Sequence, residues 1–272
     1  MKTVKQTTLN KKALDGLYEK YNRREFVHPD PLEFLYNYKD VRDREVVGLI
    51  ASSLAYGRVK QILRSVSFVL ERLGPFPARF LVESSQDELL RIFEDFVHRF
   101  TTGRHLAALL TGARRAIRLY GSLHACFAAG VREADETVIP ALGDFVKELL
   151  CGDYSCDKYL LPTPERGSAC KRLHLFLRWM VRKDDVDPGG WDDIPTSKLV
   201  VPLDTHMHKI GLALRATRRK QADIRTALEI TAAFREIAPE DPVRYDFALT
   251  RLGIREDTDM AAFLKEYRRL ED

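Results

Sequence analysis

Two short segments of the chain hold residues whose types and spacing could do covalent chemistry. In PTPERGSACKRLHLFLRWMVRK, a turn containing proline and glycine at residues 162 to 167 leads into an amphipathic run, with Ser168 placed to cap it and Lys171 in its first turn. An ammonium there meets the positive end of the helix macrodipole, which favours a free, nucleophilic amine. The backbone N–H groups of Gly167 and Ser168, at the glycine turn and helix start, suit a phosphate held without reading a base. Taken alone, the pattern fits an ordinary surface lysine behind a turn better than a nucleophile.

The second segment is VVPLDTHMHKIGLAL, where Asp204 sits at the cap of a helix whose inner stripe is Met207, Ile210, Gly211 and Leu214. Capping is enough to account for an aspartate. A carboxylate fixed at that place can also stabilise a developing sugar cation, or help activate an amine or water. His206 and His208 are two positions apart and diverge on a helix, so they make no metal pair. A third segment, residues 223 to 254, reads as two helices joined at Pro239, the second opened by Asp241 and Pro242 and closed by Gly253. Tyr245 and Asp246 flank its buried stripe.

The elements that must position these groups are all helical. Asp40 caps a run with Val46, Val47, Ile50 and Leu54 at helical spacing and Gly57 as its stop. RVKQILRSVSFVLERLG repeats the pattern, and further periodic runs cover 102 to 119, 137 to 150, 169 to 182, 205 to 214, 222 to 236 and 242 to 252. No segment alternates with period two, so the expected class is all-α. The main break, DDVDPGGWDDIPTSKLVVP at 184 to 202, marks a lobe boundary or functional loop. It divides a central lobe, 40–183, carrying Lys171, from a second lobe, 1–39 plus 184–272, carrying Asp204.

Composition narrows the function classes. The chain has 272 residues, 45% of them hydrophobic, which is enough for a sizeable core. The polar opening MKTVKQTTLNKK and the lack of any bilayer-length apolar stretch point to a cytoplasmic protein with no membrane partner. Cys126, Cys151, Cys156 and Cys170 have neither CxxC spacing nor a histidine series, so no metal site, cofactor or disulfide framework is expected. A formal charge of +4 decides little, but cations gather at 114 to 118, 178 to 183 and 215 to 220. Arg178, Arg182, Arg215, Arg218, Arg219 and Lys220 are the candidate phosphate contacts. Trp191, Trp179 and Tyr56 are the candidates to stack on a base.

The order of these segments resembles the helix-hairpin-helix DNA glycosylase superfamily. In that family, which includes endonuclease III and the 8-oxoguanine glycosylases, a lysine follows the hairpin glycine and a Val-Asp-Thr-His-type segment supplies an aspartate. Gly167, Ser168, Ala169, Cys170 and Lys171 match the first pattern, and Leu203, Asp204, Thr205 and His206 the second. The resemblance implies a two-lobed all-α fold with a cleft, a damaged duplex DNA partner, and Lys171 and Asp204 as catalytic residues. It implies base-excision repair, with glycosylase and AP-lyase chemistry on a damaged base such as an oxidised purine.

Lys171 and Asp204 are 204 − 171 = 33 positions apart, wider than in the endonuclease III branch and similar to the archaeal 8-oxoguanine glycosylases. Pro164 and Glu165 occupy the hairpin turn in place of the usual glycine pair. No cysteine follows Cys170, so no iron-sulfur cluster is expected. KRLHLFLRWMVR and PLDTHMHKIG also resemble an uncharacterised bacterial helical family. A nucleic-acid-binding protein of the same fold without catalysis, and a helical scaffold that docks a protein through the 184 to 202 loop, are the alternatives.

Overall fold

Apolar periodicity becomes helix along most of the chain in the computed structural model, which describes residues 9–150, 160–254 and 260–269. Among these residues the helices are α1 (Lys11–Tyr21), α2 (Val41–Ser53), α3 (Val59–Leu73), α4 (Pro77–Glu83), α5 (Gln86–Ile92), α6 (Gly103–Tyr120) and α7 (Leu123–Ala128). They continue as α8 (Ile139–Leu150), α9 (Lys171–Val181), α10 (Thr205–Ala213), α11 (Ile224–Ile237), α12 (Asp246–Ile254) and α13 (Met260–Arg269). The class is all-α. One hairpin interrupts it, β1 (Val97–His98) against β2 (Thr101–Thr102), too short to show alternation in the sequence.

Local chemistry sets the helix ends. Asp40 accepts the Arg42 N–H at 2.8 Å and starts α2, as its residue type requires. The helix stops at Ser53, short of Gly57, whose φ of +96° turns the chain into α3. The expected opening of the last helix pair at Asp241 and Pro242 is corrected: α12 starts at Asp246, because Asp241 is held by Arg182 instead of capping a helix.

The core is built around α2, buried almost without a break from Asp43 to Ser53. It packs closely on α9: a Cβ on Gly48 would stand 3.3 Å from the Phe176 ring, tighter than most such contacts. Phe176 is fully buried, so this contact fixes the helix that begins with Lys171.

The 184 to 202 segment is not a displayed loop. Val186, Trp191, Ile194, Leu199, Val200 and Val201 are all buried and belong to the same core cluster as α2 and α9. Trp191 stacks on Phe127 and meets the edge of Phe176, and its indole N–H donates to Glu45 at 3.2 Å. Among the described residues no helix is long and apolar enough to cross a membrane.

Candidate active site

The turn before α9 places Lys171 by backbone conformation. Pro164–Arg166 form a single 3-10 turn that Gly167 closes at φ +79°. Cys170, also left-handed at φ 45°, is the residue that caps α9; Ser168, expected in that role, instead accepts the Cys170 N–H at 3.2 Å. Lys171 is therefore the first residue of the helix, and its side chain remains 32% exposed.

Asp204 approaches from the start of α10. Its Oδ1 accepts the N–H groups of His206 at 2.9 Å and Met207 at 2.8 Å, as a helix cap does. Its Oδ2 lies 3.5 Å from Lys171 Nζ, and the carboxylate is 23% exposed. Both residues line a pocket of about 960 Å³, within the range of small-ligand sites. Its wall draws on Asp30 and Pro31 from the N-terminal part, Tyr56 and Arg172 from the middle, and Asp204, His206, Asp246 and Arg251 from the C-terminal part.

Asp246 is the residue that sequence reasoning passed over most lightly. It is buried on the pocket wall, where Arg178 donates to its Oδ2 while its Oδ1 has no hydrogen-bond partner. Burial pushes its carboxyl up to about 6; the Arg178 charge opposes the shift and the Asp204 charge adds to it. That oxygen is itself closed off from solvent. Its signal in the sequence was an aspartate beside an apolar stripe, which exposed helix faces share.

Several of the expected contact residues are committed to the interior, Arg178 among them although it borders the pocket. Arg178 and Arg182 are buried within an ionic cluster. Arg178 bonds Asp187 at 3.2 Å as well as Asp246, and Arg182 bonds Asp184 at 2.8 Å, Asp241 at 2.9 Å and Asp187. Neither can meet a phosphate, which corrects their assignment: the 184 to 202 segment and α12 bring carboxylates over a face that helical spacing alone leaves open. Trp179 and Trp191 are likewise core residues and cannot stack on a ligand. Tyr56 remains on the pocket wall, with the Arg172 guanidinium 5.0 Å from its ring centre.

Gly167 and Ser168 are exposed or half-buried near the pocket, and the Gly167 carbonyl accepts the Ile224 N–H at 3.3 Å. That bond ties the turn to the end of the loop carrying Arg215, Arg218, Arg219 and Lys220. Arg219 braces this loop through Asp223 at 2.6 Å and Thr226 at 3.0 Å. Arg215, Arg218 and Lys220 are exposed. The 114 to 118 cations are spoken for, with Arg114 and Arg118 on backbone carbonyls and Arg115 on Glu148. Among the described residues no group of acidic, histidine or cysteine side chains could hold a metal ion. Cys126 and Cys170 are buried free thiols, while Cys151 and Cys156 lie outside the described residues.

Residues 30–255 match the family described as "Protein of unknown function (DUF2400)". The chain belongs to that family. Neither a curated protein nor a solved structure matches it. In this DUF2400 protein the matched region holds every lining residue of the Lys171 and Asp204 pocket except Pro29.

Proposed function

We propose that this protein is a base-excision DNA glycosylase with AP-lyase activity. The observation that carries the reading is the meeting of Lys171 Nζ and Asp204 Oδ2 at 3.5 Å, both partly open to one pocket. A structural ion pair would not need an amine at the first position of a helix, where the macrodipole disfavours it. An amine beside a carboxylate, in a pocket, is the arrangement that nucleophilic attack on a carbon bearing a good leaving group requires.

In this reading a damaged nucleotide leaves the base stack and enters the pocket, since its glycosidic carbon is out of reach inside a duplex. Lys171 attacks C1′, the C1′–N bond breaks, and the base departs with the electron pair and gains a proton. Asp204 offsets the positive charge that builds on the sugar. Opening of the sugar ring leaves an imine between Lys171 and C1′, and β-elimination then expels the 3′ phosphate. The exposed cations at 215, 218 and 220 meet the backbone.

Borohydride trapping tests this directly, using wild type and Lys171→Gln on duplexes with 8-oxoguanine, an oxidised pyrimidine, uracil or an abasic site. A covalent adduct made by wild type and absent from the variant is expected. Folded wild-type protein that forms no adduct on any duplex, yet binds DNA in a salt-sensitive manner, would sink the lyase and leave a binding protein of this fold.

A further inference from the structure

The strand-cleaving step leaves one proton without an acceptor. Elimination requires the C2′ hydrogen to depart, and at that stage Lys171 Nζ is bonded to C1′ and cannot take it. Asp204 gives Oδ1 to two backbone N–H groups and holds Oδ2 3.5 Å from the lysine nitrogen. Asp246 is buried, with Oδ2 on Arg178 and Oδ1 closed off from solvent.

His206 stands where a base is needed. Of the seven histidines it is the one that lines the pocket, and it lies in the first turn of α10 next to Asp204. Elsewhere His28, His98, His124 and His208 are engaged with Glu33, Ser65, Asp193 and the Arg219 carbonyl. His206, by contrast, is the one titratable side chain of the pocket wall that has no hydrogen bond or ion pair to a described residue.

Its ring is nevertheless placed. The His206 backbone N–H bonds Asp204 Oδ1 at 2.9 Å, which fixes the turn that carries the imidazole. The ring lies over Gly253 of α12, itself on the pocket wall, where a Cβ would stand 2.8 Å from Nδ1 and 3.4 Å from Cγ. Any side chain at 253 would push the ring aside. His206 is also exposed, so a proton it accepts can pass to water, and imidazole is the side chain that exchanges protons near neutral pH.

We propose that His206 is the general base of strand cleavage, taking the C2′ proton of the sugar that Lys171 holds as an imine. The C2′–H electron pair becomes the C2′–C3′ double bond, conjugated with the imine. The C3′–O bond breaks, the phosphate leaves with its electrons, and the imidazolium returns its proton to water. The proposal rests on the lyase reading of the pocket and assigns the residue that separates its two stages: Lys171 with Asp204 forms the imine, and His206 resolves it.

The test uses single turnovers on a duplex with a natural abasic site, reading the borohydride-trapped adduct in one arm and the nicked strand, without borohydride, in the other. His206→Ala replaces an exposed side chain and should keep the wild-type melting temperature. Its ratio of nicking rate to adduct formation should fall about a hundredfold. Added imidazole should restore nicking to this variant, with Lys171→Gln in the same buffer as the background. Gly253→Ala keeps the histidine but displaces its ring, and should lower the same ratio by a smaller factor. A wild-type ratio in His206→Ala, equal loss of adduct and nick, or no rescue by imidazole overturns the assignment and leaves Lys171 as it stands. Wild-type protein that forms an adduct but does not nick overturns it too, whereas wild type that forms no adduct removes the lyase reading and this step with it.

Discussion

Asp204 divides its carboxylate between two tasks, giving Oδ1 to the backbone N–H groups that open α10 and turning Oδ2 toward Lys171 Nζ at 3.5 Å. A helix cap and a catalytic anion are competing explanations of an aspartate when only its sequence neighbours are known. The two explanations are compatible here because they call on different oxygens of one residue, and the cap is what aims the other oxygen. The turn at Gly167 and Cys170 aims the lysine in the same way, by fixing where α9 begins.

Asp204→Asn and Asp204→Ala should therefore separate the two tasks. Asparagine caps as well as aspartate, so the Asn variant should unfold within about 0.5 kcal/mol of wild type, whereas alanine should cost about 1 kcal/mol. Both lose the anion that faces Lys171, and single-turnover trapping should slow on the order of a hundredfold in each. A wild-type trapping rate in Asp204→Asn would take Asp204 out of the chemistry and leave it a cap.

The arginines should split by location, although the sequence presents them alike. Arg178→Met strands Asp246 as a buried carboxylate and leaves Asp187 to Arg182 alone, which should cost about 3 to 5 kcal/mol in urea unfolding. Arg215→Gln, Arg218→Gln and Lys220→Gln alter exposed side chains and should change stability by less than about 0.5 kcal/mol. Their effect should instead show as a shallower salt dependence of DNA affinity. A stable Arg178→Met protein would mean that its cluster is not closed as described.

Much of this fold could be read in advance because α3, α6 and α11 each obey a 3.6-residue period and carry a recognisable cap or stop. The pairing of Lys171 with Asp204 came from their segments' order, not from any rule of spacing, since nothing local brings positions 33 apart together. What stayed hidden depended on long-range packing. Trp191 sits in a stretch rich in turn residues, yet it plugs the core between Phe127 and Phe176. Arg178 and Arg182 look like a solvent face until Asp187, Asp241 and Asp246 arrive from distant segments to bury them. The hairpin is too brief to carry a pattern, and its exposed Phe100 looks in sequence like any core aromatic.

Gly57 and Gly167 both have φ in the left-handed region, at +96° and +79°, but they differ in what lies beyond the missing Cβ. At Gly167 nothing is within 4 Å, so Gly167→Ala should cost only the backbone preference, about 1 kcal/mol. At Gly57 the new methyl would stand 2.7 Å from Arg99 Cδ and push the hairpin arginine away. Gly57→Ala should be the more destabilising of the two in urea unfolding. Equal losses of stability would mean that Arg99 yields without cost.

His174 and Asp246 should pull the acid stability of the protein in opposite directions. His174 is fully buried in α9 with neither ring nitrogen hydrogen-bonded, and burial drives its pKa down to about 4 from 6.5. Below pH 6.5 the unfolded chain gains a proton on this imidazole that the folded chain refuses until about pH 4, so folding loses about 3 kcal/mol as the pH falls through that window. Asp246, raised by burial from 3.8 to about 6, behaves in reverse. Its folded carboxyl takes a proton before the unfolded one does, and folding gains about 3 kcal/mol between pH 6 and 4. In the wild type the two nearly cancel. Urea midpoints measured from pH 7 to 4 should fall more steeply for Asp246→Asn than for wild type, and less steeply for His174→Leu. Comparing slopes removes the separate, pH-independent cost of leaving Arg178 with only one of its two carboxylate partners in the Asn variant. Parallel curves for all three proteins would show that neither group is held as the buried geometry requires.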